Sequence, residues 1–260
     1  MTFSQRTIFS LLMILTLSSC SNATREMAAA AREKGFVYLD EIDPTIQVSL
    51  RYYSNENFLG RRVKAYNKNV LMMTRQAAQA LKKVQEDLKK DGYELVIYDA
   101  YRPQDGVDNF MVWSLAIDDQ IKKEQYYPRV DKARVFELGY VAERSGHTRG
   151  STVDLTIIKK GQKVHDVIEK KRTLLDGFTI TYLDDGTVDM GSSFDLFDVA
   201  SHYENAVIAP EYKTMRTYLH DMMVKHGFKP YSEEWWHFTL ENEPHPASRG
   251  DSSYFNFPIE

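Results

Sequence analysis

Alternating apolar and polar positions predict a series of short strands along the chain. Residues 36–39 and 46–50 are rich in β-branched and aromatic side chains, and so are residues 93–98. Residues 153–158 and 235–240 have the same character in the second half of the chain. The pattern therefore predicts at least five strands.

Apolar residues spaced three to four positions apart predict three helices. Thr74 is a suitable N-cap for a helix that runs to about Lys90, and a second helix is predicted over residues 104–117. The third is predicted over residues 210–226, with Gly227 as its C-terminal stop. The inward side chains of the first helix are predicted to be Ala77, Ala80, Leu81, Val84 and Leu88. Those of the third are predicted to be Met215, Leu219, Met222 and Met223.

These strands and helices do not alternate as regular βαβ units. The fold class predicted is α+β, a single compact domain with a mainly antiparallel sheet flanked by helices. No internal repeat, linker or low-complexity block divides residues 35–260, which are therefore predicted to form one catalytic domain. Residues 159–186 are charged and irregular, and they predict a long hairpin or a surface excursion.

Composition and charge exclude one class of partner. The chain has 260 residues, of which 43% are hydrophobic, and its formal net charge is -4. Binding to nucleic acid normally requires a concentrated basic face, so no nucleic-acid partner is expected.

The N-terminal segment has the pattern of an export signal. Residues 8–17 are apolar but too short to span a bilayer, and they end in Leu17-Ser18-Ser19-Cys20. This ending resembles the bacterial lipoprotein signal, in which the cysteine is lipidated. We therefore expect a signal peptide over residues 1–20, a lipid on Cys20 and a tether over residues 21–34. The expected location is outside the cytoplasm, anchored to a membrane. An ordinary secretory signal or a buried core thiol is the alternative for this cysteine, the single one in the chain.

Two short stretches carry a candidate metal site. The first runs from Ser145 through His147 to Asp154, and the second contains Glu234 and His237. Two imidazoles and a carboxylate are a ligand set typical of catalytic zinc, which keeps a fourth position open. The remaining glutamate is what a hydrolase needs as a general base.

The spacing requires a local irregularity in each stretch. We expect His147 at the end of a loop and Asp154 on the next strand, with Gly150 allowing the chain to turn back. Glu234 and His237 are three positions apart, so on a regular strand they would face opposite sides. We expect a turn or bulge around Trp235; a helix would also bring the pair together.

The order of motifs resembles a known family. Ser-x-His-x-x-Gly-x-x-x-Asp followed by Glu-x-x-His resembles the zinc D-alanyl-D-alanine peptidases. The chain is more closely similar to the D-alanyl-D-alanine dipeptidases of the vancomycin-resistance type. The further matching stretches are residues 51–60, 98–103, 189–195, 233–238 and 254–258.

The resemblance implies a role for each site residue. His147, Asp154 and His237 would hold one zinc ion per chain, and Glu234 would take a proton from the attacking water. Arg102 would stabilise the oxyanion, although a structural salt bridge with Asp99 is an alternative.

The family also recognises the free amine of its substrate. Ser145 and Asp195 would do so here, although Asp195 could instead cap a helix beginning at Leu196. Tyr52 and Trp235 are predicted pocket walls, with a core role as the alternative.

The function implied is hydrolysis of the small dipeptide D-Ala-D-Ala, in cell-wall peptide turnover or scavenging. The alternative is a zinc D,D-carboxypeptidase or endopeptidase that acts on longer peptidoglycan stem peptides. Residues 159–186 exceed the usual length of this segment in the family, and we expect them either to cover the pocket or to loop outward.

Overall fold

A five-stranded sheet forms the centre of the molecule. The computed structural model describes residues 29–260. The sheet has the strand order β2-β4-β5-β9-β8, in which β2 and β4 are parallel and the other pairs are antiparallel. Two antiparallel pairs, β1-β3 and β6-β7, lie outside it. The strands are β1 (Phe36–Tyr38), β2 (Gln47–Val48), β3 (Met72–Thr74), β4 (Tyr93–Asp99), β5 (Thr152–Lys159), β6 (Ile168–Thr173), β7 (Thr179–Asp184), β8 (Phe228–Tyr231) and β9 (Glu234–Leu240).

Among residues 34–260, four α-helices accompany the sheet, and the predicted α+β class is confirmed. They are α1 (Arg75–Lys90), α2 (Gln104–Leu115), α3 (Lys123–Tyr126) and α4 (Pro210–Lys225). Helix α4 ends one residue before the predicted position, and Gly227 follows it with φ +83°. Its Leu219 and Met223 are buried, whereas Met215 and Met222 lie at the margin of the core.

Helix α1 shows why the local pattern was sufficient. The Thr74 hydroxyl accepts a hydrogen bond from the Ala77 amide at 3.4 Å, which satisfies one of the free donors of the first turn. Leu81, Val84 and Leu88 are fully buried against the sheet core. Burial of each such side chain contributes roughly 1.5–3 kcal/mol, so the apolar face determines where this helix packs.

The register of the sheet aligns three polar residues across adjacent strands. Asp154 of β5 lies opposite His237 of β9, and Asp99 of β4 lies opposite Asp154 on the other side. Residues paired in this way present their side chains to the same face. A bulge between Ile97 and Asp99 precedes the row, and bulges often redirect side chains beside active sites.

Residues 159–186 contain the hairpin that was one of the two structures predicted for this segment. Strands β6 and β7 pair over their whole length as a hairpin, and most of β6 is exposed. The hairpin rests on a second, smaller apolar cluster. Its buried members are Leu174, Ile180, Leu196, Ala200 and Ile208.

Edge strand β8 was missed by the sequence pattern. It contains Pro230, which lacks an amide donor and argues against a strand in the middle of a sheet. Because β8 is the last strand of the order, it tolerates a proline. Strand β3 and the single-turn helix α3 were also not predicted.

The N-terminal predictions fall largely outside the described residues. The signal segment 1–20, Cys20 and residues 21–28 of the tether lie outside them. Residues 29–33 of the tether are helical, and Ala31 is buried in the core. Within residues 29–260, no helix has both the length and the apolarity needed to cross a membrane.

Gly150 makes the turn into β5, and we predict that its replacement by alanine destabilises the fold. Its φ is +83°, and an added Cβ would lie 2.3 Å from the Phe36 ring. Gly161 is a matched control, since its φ is +82° but nothing lies near its Cβ position. Gly161→Ala should cost about 1–2 kcal/mol of unfolding free energy from the backbone alone. Gly150→Ala should cost at least about 1 kcal/mol more from overpacking, measured by urea unfolding. Equal losses in the two variants would contradict the close contact with Phe36.

Candidate active site

His147 is held by backbone contacts that leave one ring nitrogen facing the pocket. A 3-10 turn over Gly146–Arg149 begins after Ser145, whose hydroxyl accepts the His147 amide at 3.2 Å. The buried imidazole places Nδ1 2.7 Å from the Ala100 carbonyl oxygen. Because a carbonyl can only accept, Nδ1 carries the proton and Nε2 presents its lone pair. That Nε2 lies 3.3 Å from Asp154 Oδ2.

His237 and Glu234 reach the same place through an irregularity in β9. Opposite β8, the pairing jumps from Pro230↔Phe238 to Tyr231↔Glu234, so residues 235–237 are extra on one strand. The expected bulge around Trp235 is therefore confirmed. His237 Nδ1 lies 3.1 Å from Asp154 Oδ1 and 3.2 Å from Glu234 Oε2.

The three candidate ligands lie close enough together to hold a metal ion. One ligand atom from each of His147, Asp154 and His237 lies within 4.8 Å of the others. His147 Nε2 and Asp154 Oδ1 are buried and make no hydrogen bond within residues 29–260; His237 Nδ1 is near the latter but lacks hydrogen-bond geometry. Buried polar atoms without partners are costly. A cation at their centre would satisfy both.

Burial and charge set the protonation of these ligands. Burial lowers the pKa of His147, which favours the neutral imidazole that a metal binds. Burial disfavours charge on His237 too, but the adjacent carboxylates of Asp154 and Glu234 outweigh it and raise its pKa to about 9. Burial would raise the pKa of Asp154, yet the two imidazoles outweigh it and lower that pKa. Metal binding must therefore release the proton of His237.

Glu234 is the carboxylate beside the candidate ligands that is not itself one of them. Burial is the main cause that raises its pKa above the usual glutamate range, while the neighbouring His237 opposes the shift. A largely enclosed carboxylate with a raised pKa beside a candidate metal site is suited to proton transfer near neutral pH.

Arg102 makes the predicted salt bridge with Asp99 and also lines the pocket. Its Nε donates to Asp99 Oδ2 at 3.0 Å, which is the structural salt bridge. Its Nη2 lies 3.5 Å from Asp154 Oδ2, and the guanidinium stands over the rings of Tyr52 and Phe110 at 4.9 and 5.0 Å. The ion pair holds the arginine in place while its outer nitrogens face the pocket.

Asp99 is buried and makes more contacts than the single salt bridge with Arg102 that the sequence suggested. Its Oδ1 also accepts a hydrogen bond from the Tyr66 hydroxyl at 2.8 Å, and its Oδ2 lies 3.6 Å from His147 Nδ1. One carboxylate thus orients the arginine and lies beside the histidine, whose Nδ1 donates to Ala100. Its position directly after a predicted strand was the available signal.

Asp195 lies in the pocket in an uncommon backbone conformation. Its φ is +60°, and its Oδ2 accepts a hydrogen bond from the Tyr52 hydroxyl at 2.8 Å. Burial, reinforced by the charge of Asp154, raises its pKa well above the usual range. The alternative of a helix cap is wrong, because no helix begins at Leu196. The 3-10 turn nearby, Val199–Ser201, is capped by Asp198 instead.

The predicted residues line one cavity of about 250 Å³, with Trp235 as the exception. Trp235 does not line the cavity, and its Nε1 donates to Ser192 Oγ at 3.0 Å. Its ring is buried in the core, which was the alternative role predicted for it. No residue of the 159–186 segment lines the cavity either, so the hairpin loops outward.

The far wall of the cavity was not foreseen. The lining residues that the sequence reasoning did not single out are Phe58, Phe110, Gly139, Tyr140, Val141, Ala142, Gly146 and Tyr231. Residues 139–142 carry no motif of their own, so only the folded chain identifies them as a wall.

Known proteins resemble this chain over most of its length. The sequence profile of the D-ala-D-ala dipeptidase family (peptidase M15) matches residues 32–166 and 174–260. The unmatched residues 167–173 are almost entirely β6 of the outward hairpin. They therefore account for part of the extra length expected in this segment.

Curated relatives have the same description. A D-alanyl-D-alanine dipeptidase of Enterococcus faecium is 35% identical over 229 residues, which cover 88% of this chain and 100% of that protein. One of Enterococcus faecalis is 35% identical and covers 87% of this chain and 99% of that protein. One of Streptomyces coelicolor is 35% identical and covers 86% of this chain and 98% of that protein.

Replacing His147 should abolish stoichiometric metal binding. His147→Ala removes one of three ligands, so we expect affinity to fall by more than the roughly 10–100-fold loss typical of an outer-sphere partner. His220→Ala is the control, because this histidine pairs with Asp221 on α4 away from the pocket. Metal per chain would be measured by mass spectrometry after dialysis. Full retention of metal by His147→Ala would contradict the assignment of this ligand.

Proposed function

The chain belongs to the D-ala-D-ala dipeptidase family, and we propose that it is a zinc-dependent dipeptidase that hydrolyses D-alanyl-D-alanine to two molecules of D-alanine. The observation that carries this proposal is one pocket that combines three convergent ligands with Glu234 and Arg102. The buried Asp195 of the same pocket accounts for the choice of a short substrate with a free amine.

The donor set favours zinc, one ion per chain, as the resident metal. Two imidazole nitrogens and one carboxylate oxygen, from His147, His237 and Asp154, match catalytic zinc sites with three protein ligands. When bound, zinc supplies Lewis-acid chemistry to the scissile carbonyl and to the attacking water.

Glu234 is proposed to move the proton during hydrolysis. Its carboxylate lies beside His237 with Oε2 3.2 Å from Nδ1, and it lines the cavity that would receive the substrate. It would accept a proton from the attacking water and deliver it to the leaving amine. Its raised pKa brings its basicity closer to neutral pH, which favours both transfers.

Arg102 is proposed to stabilise the developing oxyanion. The guanidinium is held by Asp99 and by two aromatic rings, so it needs little reorganisation when charge develops on the carbonyl oxygen. A preorganised charge in a site of low dielectric constant is worth more than the same charge in water.

Asp195 and Ser145 are proposed to recognise the substrate's free amine. An ammonium group would pair with the buried Asp195 carboxylate, which Tyr52 orients through its hydroxyl. An acylated nitrogen carries no charge and would leave the carboxylate without a partner, so the pocket should reject it. The alternative activity on longer stem peptides would require an open cleft at this position.

Glu234→Gln should remove activity and retain metal. The amide keeps the shape of the side chain but cannot accept the proton, so kcat should fall by about 10²–10⁴-fold. Glu233→Gln is the matched control, since Glu233 is exposed and pairs with His202. Steady-state kinetics would be measured together with metal content. Activity that survives Glu234→Gln would remove the proposed mechanism.

The dipeptide reading is tested with D-Ala-D-Ala and its N-acetyl derivative. We expect the wild type to hydrolyse the free dipeptide and to leave the acylated one intact. Asp195→Asn should lower kcat/KM for the free dipeptide by about 10²-fold or more, since the ammonium loses a buried charged partner. Faster hydrolysis of the acylated substrate by the wild type would favour the carboxypeptidase or endopeptidase activity instead.

We further propose that the protein is exported and anchored to a membrane through a lipid on Cys20. The support is the apolar run 8–17 followed by Leu17-Ser18-Ser19-Cys20. An enzyme in that location would meet D-Ala-D-Ala released from the cell wall, so its role would be in peptide turnover or scavenging.

Cys20→Ala should release the protein from the membrane fraction. The variant lacks the thiol that would carry the lipid, whereas Ser19→Ala keeps a small residue before Cys20 and should remain bound. Fractionation of bacteria that express each form, followed by intact mass measurement, would check this. Unprocessed wild-type protein that is active in the cytosol would contradict the proposed location.

A further inference from the structure

The segment from Met190 to His202, called here the 190–202 segment, holds Asp195 in the pocket without regular strand or helix support. Only the 3-10 turn Val199–Ser201 interrupts its irregular course. Most of its residues are buried, and Leu196 and Ala200 are fully so. A buried irregular segment needs hydrogen-bond partners for its carbonyl groups from elsewhere in the fold.

Arg216 of α4 supplies those partners. Its Nε donates to the Met190 carbonyl at 2.7 Å, and its Nη1 donates to the His202 carbonyl at 2.8 Å. Its Nη2 donates to the Ala200 carbonyl at 2.8 Å and to Ser192 Oγ at 3.0 Å. The guanidinium therefore joins the beginning of the segment to its end and leaves Asp195 between them.

No carboxylate pairs with this arginine among residues 29–260 within salt-bridge distance. Its side chain is 2% exposed, and burial lowers its pKa to about 9. A charged group is thus kept inside the protein by neutral acceptors, all of which belong to one segment. The planar fork of arginine can span them, whereas the point charge of a lysine cannot.

The same contact reaches the strand that carries Glu234. Ser192 Oγ accepts a hydrogen bond from Trp235 Nε1 at 3.0 Å as well as from Arg216. Trp235 directly follows Glu234 in β9. The Arg216 guanidinium is therefore hydrogen-bonded directly to the segment that contains Asp195. Through Ser192 it is also linked to β9, the strand that carries Glu234.

We propose that Arg216 is a positioning residue that closes the 190–202 segment and thereby sets the place of Asp195 for recognition of the substrate's free amine. The role of Arg216 in substrate recognition rests on the proposed dipeptidase function. Its role in holding the 190–202 segment does not. Asp195 has φ +60°, a conformation that persists only where the surroundings hold it. Arg216 holds both ends of the segment that contains it.

Arg216→Lys tests the structural part without any substrate. Hydrogen exchange followed by mass spectrometry should show faster exchange in peptides covering residues 190–202, because the segment loses its shared donors. Met223→Ala is the matched control: it opens a cavity on the same helix, about two turns from Arg216, where no such bonds are made. Its exchange should not rise selectively in the 190–202 segment. Unchanged exchange of this segment in Arg216→Lys would overturn the proposal.

The kinetic part uses the same two variants with D-Ala-D-Ala and its N-acetyl derivative. Arg216→Lys should raise KM for the free dipeptide at least about tenfold, since small displacements of a positioned group are costly. The ratio of kcat/KM for the free dipeptide to kcat/KM for the acylated one should fall. Metal content should stay at the wild-type value. Met223→Ala should lower the thermal midpoint, but it should retain the wild-type KM and selectivity. A folded, active Arg216→Lys with wild-type KM and selectivity would overturn the assignment.

Ser192→Ala provides a second variant if the lysine form does not fold. It removes one acceptor of Arg216 and leaves the three carbonyl bonds, so exchange should rise in the same peptides to a smaller extent. No rise in those peptides would overturn the proposal. A wild type that hydrolyses neither substrate would refute the proposed function, and the exchange results would still decide the role of Arg216.

Discussion

The placement of Asp154 between two imidazoles is the constraint on which the rest of the site depends. Three adjacent strands must pair in one register for Asp99, Asp154 and His237 to stand side by side. A shift of a single residue in any of them would turn its side chain to the other face of the sheet. The apolar residues between these positions, such as Leu155 and Phe238, are buried and therefore hold that register. The core and the candidate metal centre are thus specified by the same pairing.

Buried charge is the second common feature of this molecule. Arg102 pairs with Asp99 near Asp154, while Asp195 is oriented by Tyr52. Such groups are costly to bury unless each finds a partner. The side chains of the site are positioned by three local features of the backbone: the bulges in β4 and β9 and the turn at Gly150. The proposed chemistry uses the groups that have no hydrogen-bond partner within residues 29–260, namely His147 Nε2 and Asp154 Oδ1, together with the Glu234 carboxylate in the same cavity.

The sequence was most informative where a local rule was sufficient. The N-cap at Thr74, the apolar face of α1 and the stop at Gly227 could be read directly, because each depends on neighbours within a few residues. The bulge around Trp235 could also be inferred, since Glu234 and His237 lie three positions apart and cannot share a face of a regular strand. The prediction of Trp235 as a pocket wall was wrong, because its ring is buried in the core and does not line the cavity.

The sequence by itself determined the α+β class, and it indicated the chemistry proposed for this protein through the candidate ligand set, the spare carboxylate and the order of motifs. These depend on residue types and on spacing along the chain, which are visible without a fold. Only the tertiary structure decided which side chains share the cavity, how the wall at residues 139–142 closes it and how Arg216 joins the ends of the 190–202 segment. Those relations connect residues far apart in the chain through packing and strand register, and no local pattern encodes them.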